Sequence, residues 1–302
     1  MISVIIPTYN RSTMLRQAIE SVEKQAYKDV EIIVLDDNST DNTEQTVRAL
    51  QQSHRNIKYI KNDINQGPGA NRNKGFCFAD GDYIVFMDDD DYYTNDSFFS
   101  NAINIFSQEE NVACVSANAN IENTVTKRIV PGKIGVRGLV SGNKYLMNLN
   151  GCYKKPLSTF AAVFAKRYLD MANLSNMKMV NDVSIYMRAL VYGDMYVLPE
   201  CVGNYRVHGN NISSHIERDF MIANMNERLW TAKRLKGNKA QIADWLDNQL
   251  LFCYSYYVRG THPSLYDNIV MIAWIISKTR PSMKLYKGIM RIIIKDRKRN
   301  LH

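Results

Sequence analysis

Four short apolar runs, each closed by polar residues and separated by segments of helical spacing, occupy the first ninety residues, and no other feature restricts the fold as much. "SVIIPTYN" (3–10) is a β-branched run ended by Pro7, the pattern of a buried parallel strand entering a loop. Residues 13–24 follow with Leu15, Ala18, Ile19 and Val22 on one helical face. "VEIIVLDDNSTDNTEQTVRAL" repeats the plan, with Val47 and Leu50 on the helix face. "NIKYIKN" (56–62) reads as a third strand, and the Gly-rich loop "NQGPGANRNKG" leads into a helix ending near Ala79. "DGD" (80–82) is a turn before a fourth strand, "YIVFM". Strands alternating with helices over such short connections predict a mostly parallel α/β sheet flanked by helices. Ligands of such sheets bind beyond the carboxyl ends of the strands. "PTYN", "DDNS" and "DDDD" all fall there.

The last of these clusters, Asp88 to Asp91, poses an electrostatic problem. On an extended chain Asp88 and Asp90 share a face, with Asp89 and Asp91 on the other. Two carboxylates about 4 Å apart repel by roughly 4 kcal/mol at an effective dielectric of 20. Proton sharing offsets that by raising a pKa; a hard divalent cation offsets it by taking oxygen ligands and completing its shell with substrate phosphates. A solvated acidic loop is the third reading. The position at a strand end facing two other polar strand ends favours the cation.

From about residue 111 the alternation weakens into strand-like pieces, "VACVSAN" and "MYVLPECVGNYRVH", around a helix near 182–191. Beyond about 216 the pattern is mainly helical, with Leu229, Trp230, Trp245, Leu246, Leu250 and Tyr254 as expected core. Two regions follow: 1–215, split near 110 into two halves, and 216–302. The five cysteines are scattered and form no Cys-x-x-Cys, so neither a disulfide framework nor a zinc site is expected, and a reducing cytoplasm fits. The opening "MISVIIPTYN" lacks a signal-peptide pattern, so Asn211-Ile212-Ser213 is expected to be a chance glycosylation match. The apolar run "IVMIAWII" (269–276) is far short of the roughly 20 residues that span a bilayer.

"SVIIPTYN", "EIIVLDDNSTD", "NQGPGANRNKG" and "GDYIVFMDDDD", in this order, resemble the nucleotide-sugar half of the family 2 glycosyltransferases, which have the GT-A fold. "NDVSIYMRAL" and "YRVHGNNIS" resemble that family's acceptor-side segments, so the resemblance covers roughly residues 2–214. It implies that Pro7, Thr8, Tyr9 and Asn10 line a nucleotide pocket, with Asn65 at the head of the Gly-rich segment, and that Asp37 bonds a uracil imide. Arg72 is implied near the base or diphosphate. Asp88-Asp89-Asp90 resembles the Asp-x-Asp motif, with Asp88 toward the ribose, Asp89 in the nucleotide site and Asp90 on Mn2+ or Mg2+; Asp91 supports the loop. His208 is implied on the metal or diphosphate, the alternative being a histidine simply bonded in place. Arg206 is implied on the diphosphate, the alternative being an ion pair with a structural carboxylate. Asp182 matches the base of inverting members; "VNDVSIY" by itself reads more often as a helix cap, and its register with the other motifs reverses that preference. Asn181 stands where many relatives have Glu, in the acceptor contacts.

These parts imply an inverting, metal-dependent transfer of a sugar from a UDP-sugar to a saccharide hydroxyl. The net charge of +8 is accounted for by one stretch, in which nine basic residues between Lys278 and Arg299 face the single acid Asp296. On a helix from Ser282, Leu285, Tyr286, Ile289, Met290, Ile292 and Ile293 fall on one side and Lys284, Lys287, Arg291, Lys295 and Lys298 on the other. Such a helix suits an anionic membrane surface or packs on the domain with a solvated basic face. The membrane reading predicts a lipid-linked acceptor on the cytoplasmic leaflet in surface polysaccharide synthesis. No nucleic-acid-binding motif accompanies the charge. Two alternatives stay open. A nucleotidyltransferase of similar sheet would more usually show a Gly-rich phosphate loop with a basic residue directly after the first strand, and "PTYN" lacks one; a non-catalytic nucleotide-sugar-binding protein needs only the fold.

Overall fold

The structure, a computed structural model, describes residues 1–177, 180–208, 217–261, 263–279 and 282–299, with 297–299 as backbone. The Asn211 glycosylation match, the "GNNIS" end of its segment, Arg280 and the side chains of Arg297, Lys298 and Arg299 lie outside the described residues. Two compact units divide the chain, Met1–His208 and Gly209–His302.

The first unit begins with the predicted alternation: β1 (Ile2–Thr8), α1 (Ser12–Glu23), β2 (Val30–Asp36), α2 (Thr43–Ser53), β3 (Ile57–Lys61), α3 (Pro68–Phe78) and β4 (Tyr83–Phe86). It continues through β5 (Tyr92–Tyr93), α4 (Phe98–Gln108), β6 (Val112–Asn123), β7 (Ile129–Pro131), β8 (Gly138–Val140) and α5 (Gly142–Met147). β9 (Ala162–Ala165), α6 (Lys166–Met171), α7 (Asp182–Leu190) and β10 (Asp194–Val207) complete it. The strands form one ten-stranded sheet in the order β3-β2-β1-β4-β9-β6-β10-β5, with β7 on β6 and β8 on β10.

Every residue of β1 and β2 is buried, because helices cover both faces of these parallel strands. Ile2, Val4 and Ile6 share a core cluster with Leu15, Ala18, Ile19 and Val22 of α1, the face read from the sequence. The opposite face meets α3 at Gly75, where an added Cβ would lie 2.4 Å from Ile5 Cγ2. The Gly-rich segment is mostly helix rather than loop, since Pro68 fits the first turn and only Asn65, Gln66 and the cap Gly67, at φ +81°, lie outside it.

The sheet becomes mixed past β4. β9 runs antiparallel to both β4 and β6, while β6 and β10 are parallel. The scattered strand-like pieces of the sequence are thus two long strands, and β10 follows β6 only through several shifts of register.

The second unit is helical: α8 (Arg218–Ala232), α9 (Lys239–Thr261), α10 (Leu265–Lys278) and α11 (Met283–Arg299). Of its expected core, Trp245, Leu250 and Tyr254 are buried, whereas Leu229, Trp230 and Leu246 are half-buried. The apolar side expected of α11 is divided. Leu285 and Ile289 are buried in the helical core, while Tyr286 is 40% and Met290 54% exposed. No helix among the described residues is long and apolar enough to cross a membrane.

Candidate active site

The acidic run does not extend the fourth strand. Met87 makes its last sheet bond, to Ile5 O at 3.0 Å, and Asp91 N then donates to Asp88 O at 3.1 Å, closing a turn. The alternation expected for an extended chain is therefore lost. Asp88, Asp90 and Asp91 come together, with one carboxylate oxygen of each within 4.8 Å of the others.

Asp89 points the other way, toward the end of β1, where Thr8 Oγ1 donates to Asp89 Oδ2 at 2.7 Å. Arg11, at the head of α1, reaches across the loop with Nη1 at 3.0 Å from both Asp89 Oδ1 and Asp90 Oδ2. Burial pushes the Asp89 carboxyl up to about 6, against the pull of Arg11 and the Thr8 bond. On the far side, His208 Nε2 lies 2.9 Å from Asp90 Oδ2. Arg206 Nε donates to the backbone oxygen of Asp90, and its Nη1 donates to Gln17 Oε1 at 2.8 Å. Arg206 thus braces the loop's backbone here.

Asp91 is fully buried. Its Oδ2 accepts from Ser158 Oγ at 2.6 Å, but Oδ1 has no hydrogen-bond partner. Burial, with Asp88 and Asp90 adding like charge, drives its pKa well above the usual range. Three clustered carboxylates and one orphaned buried oxygen form an all-oxygen donor set that fits a hard divalent ion.

A second pair of cations joins this cluster to the head of α7. Arg72, on α3 and buried, donates through Nη2 to Asp88 Oδ1, and the same nitrogen stands 3.5 Å from Asp182 Oδ1. Lys155 Nζ lies 3.2 Å from Asp182 Oδ2. Burial raises the Asp182 pKa, but Lys155 and Arg72 outweigh it and hold the carboxyl below its ordinary value. The helix-cap reading of Asp182 is overturned. Asn181 is the cap, its Oδ1 accepting from Ser184 N at 3.0 Å while Ser184 Oγ accepts from Asn181 N at 3.0 Å. That reciprocal bonding leaves the Asp182 side chain free to face the cluster.

The remaining predicted residues frame a neighbouring wall. Pro7 is buried in β1 opposite Leu35. Asn10, at φ 53°, accepts from Thr40 N at 2.7 Å and ties the first strand-end loop to the second. Asp37 is buried and engaged: Gln66 N, Gly67 N and Asn62 Nδ2 donate to it at 2.8, 2.7 and 3.0 Å. Burial raises its pKa, yet these bonds together hold it low. Tyr9 and Asn65 are exposed, and the structure gives neither a bond to the acidic cluster.

Two residues of this constellation escape the sequence reading. Arg11 directly follows "PTYN", so a basic residue does stand just past the first strand; its position was the available signal. Lys155 had none, being 27 residues from Asp182 in the chain.

The fold has the GT-A arrangement, and residues 3–170 match the family described as Glycosyl transferase family 2. The chain belongs to that family. It is 32% identical over 201 residues to the GalNAc(5)-diNAcBac-PP-undecaprenol beta-1,3-glucosyltransferase of Campylobacter jejuni, covering 65% of this chain and 62% of that one. It is 37% identical over 122 residues to the UDP-Glc:alpha-D-GlcNAc-diphosphoundecaprenol beta-1,3-glucosyltransferase WfaP of Escherichia coli, covering 40% of this chain and 47% of that one. The chain thus spans less than two thirds of these relatives. Among solved structures, S. aureus TarS residues 1–349 in complex with UDP-GlcNAc superposes with a TM-score of 0.74 at 21% identity, covering 92% of this chain and 80% of that one.

Proposed function

We propose that this chain transfers a sugar from a UDP-sugar, with inversion, to a hydroxyl of a saccharide carried on a diphosphate-linked lipid. The observation that carries the reading is the junction of two carboxylate sites through Arg72: Asp88 on the strand-end loop and Asp182 at the head of α7. The two relatives named above act on diphosphoundecaprenol-linked saccharides, which supports the acceptor class.

Asp182 is the base. Held ionised by Lys155 and Arg72, it takes the proton of the attacking hydroxyl while that oxygen bonds the anomeric carbon and the bond to the UDP oxygen breaks. One displacement from the opposite face inverts the centre, and UDP leaves carrying the bonding pair. Asp88, Asp90 and Asp91 hold Mn2+ or Mg2+, with His208 beside Asp90. Bound there, the ion supplies positive charge against the leaving diphosphate. Asp88 and Asp89 border the ribose. Pro7, Thr8, Tyr9 and Asn10 line the nucleotide pocket with Asn65, and Asp37 meets the uracil with the acceptor capacity its loop bonds leave. Arg206 keeps the loop in place through Asp90 O. Asn181 acts through its cap, which fixes the start of α7.

The second unit attaches to the cytoplasmic face of an anionic membrane. Met283, Tyr286, Met290 and Ile294 are all exposed along one line of α11, beside exposed Lys287, Arg291 and Lys295.

Asp182→Asn tests the mechanism. It keeps UDP affinity within twofold by calorimetry and lowers acceptor-dependent UDP release by at least about a hundredfold, a loss typical of removing a general base. Near-normal turnover removes Asp182 from the chemistry. Release of pyrophosphate instead of UDP would assign the site to nucleotidyl transfer.

A further inference from the structure

Residues 123–155 carry seven basic side chains and not one carboxylate. The body of the chain is neutral only in sum, and this excess sits on the acceptor half. The nearest acid, Glu122, has its carboxylate engaged by Tyr92 Oη at 2.8 Å. Among the described residues no ion pair forms at Lys127, Arg128, Lys133 or Lys154, and all four are exposed.

The backbone lays these residues along one edge. β7 pairs antiparallel with β6, setting Ile129 opposite Glu122 and Pro131 opposite Asn120. Gly132 N then donates to Ala119 O at 2.9 Å and Ile134 N to Asn118 Oδ1 at 3.0 Å, so the chain keeps descending β6. Lys154 N donates to Ile134 O at 2.8 Å, which brings Lys155 in at the foot of this edge, where it meets Asp182. From Asn123 down to Asn118 is about 17 Å of strand. At the upper end the basic residues mix with exposed apolar ones, Val125 at 80% and Ile129 at 54%.

Protection of an edge strand accounts for Pro131 on β7 and for Lys127 and Arg128 just before it. It does not account for the absence of acid over the whole stretch, nor for the edge ending on the base. An extended ligand with a hydroxyl at one end, phosphates along its length and hydrocarbon at the other matches the sequence of surfaces from Asp182 through Lys133 to Val125. Resting on the transfer proposed above, we infer that the edge from the Thr126 turn to Lys155 is the binding site for the acceptor's diphosphate and the first apolar units of its lipid carrier.

The test is calorimetry on the full chain saturated with UDP and Mn2+, so that the donor pocket is filled. Farnesyl diphosphate, inorganic pyrophosphate and farnesol are titrated separately, below micelle-forming concentrations. The wild type binds farnesyl diphosphate at least tenfold more tightly than pyrophosphate or farnesol. Combined Lys127→Gln, Arg128→Gln and Lys133→Gln weakens farnesyl diphosphate at least tenfold with the Kd for UDP unchanged. Combined Val125→Ser and Ile129→Ser weakens farnesyl diphosphate but not pyrophosphate. Equal binding of farnesyl diphosphate by the triple variant and the wild type overturns the site. Equal binding of farnesol removes the phosphate contact, and equal binding of pyrophosphate removes the carrier. A wild type that UDP does not saturate overturns the transfer reading itself, and the inference with it.

Discussion

Arg72 Nη2 stands 3.5 Å from Asp182 Oδ1 while donating to Asp88 Oδ1, so one buried guanidinium holds together carboxylates 94 residues apart in the chain. Its own burial opposes its charge, but Asp88 and Asp182 raise its pKa further, which fixes it as a permanent cation. Removing it strips Asp88 of its cation and leaves Asp182 to Lys155 alone. Arg72→Met is expected to cost about 3–5 kcal/mol in denaturant titration, the range for breaking a buried pair from one side. Arg72→Lys restores charge but not the fork geometry and recovers only part of the loss.

On the mechanism proposed above, Lys155 is expected to set the acid limit of turnover. Asp182 works as a base only when ionised, and Lys155 with Arg72 keeps it ionised below the ordinary carboxylate range. Lys155→Met moves the acid limb of the kcat profile to higher pH, with the alkaline limb unmoved. An unchanged acid limb would show that another group limits the rate there.

Asp89 gives the apo protein a pH signature of its own. Its folded pKa, raised to about 6 by burial, lies above that of the unfolded chain, so the protonated form favours folding. Its contribution is complete below the unfolded value near 4 and is lost as pH rises through about 6. In EDTA, urea midpoints should fall across that window, and Asp89→Asn should flatten the fall.

The acidic cluster predicts its own ligand dependence. Mn2+ titrated into the protein and followed by paramagnetic resonance should bind the wild type and weaken at least tenfold in Asp90→Asn. Asp91→Asn should also weaken it, because Asp91 Oδ1 is the buried oxygen without a protein partner. EDTA should weaken UDP binding in calorimetry; UDP affinity indifferent to chelation would remove the ion from the donor site.

For α11, Lys287→Gln, Arg291→Gln and Lys295→Gln together should reduce sedimentation with anionic vesicles about a hundredfold, at about 1 kcal/mol per charge. Deleting residues 278–302 is a poorer test, since Leu285 and Ile289 belong to the helical core. Leu285→Ala should instead cost stability, about 2–5 kcal/mol by denaturant titration.

Much of the architecture could be read from local pattern. β1, α1 and β2 appear where apolar runs and helical spacing place them, because a strand buried on both faces and a one-sided helix leave unmistakable periodicities. The family motifs likewise single out Asp88 and Asp182, which the structure brings to Arg72, and Asp90, which it places beside Asp88. Other features lay beyond local pattern. The antiparallel insertion of β9 between β4 and β6 depends on pairing between distant segments, which four apolar residues cannot announce.

The sequence by itself determined the parallel half of the sheet, the strand-end position of the acids and the basic excess at the end of the chain, all of which follow from residue type and spacing along one segment. Only the tertiary structure decided how the acids divide: a turn at Asp88–Asp91 turns Asp89 to Thr8 and gathers its neighbours. It also decided that Asn181 caps α7 and that Arg11, Arg72 and Lys155 balance the charge. Coulombic and hydrogen-bonding partners are chosen by distance in space, and here each comes from a different element than the carboxylate it holds.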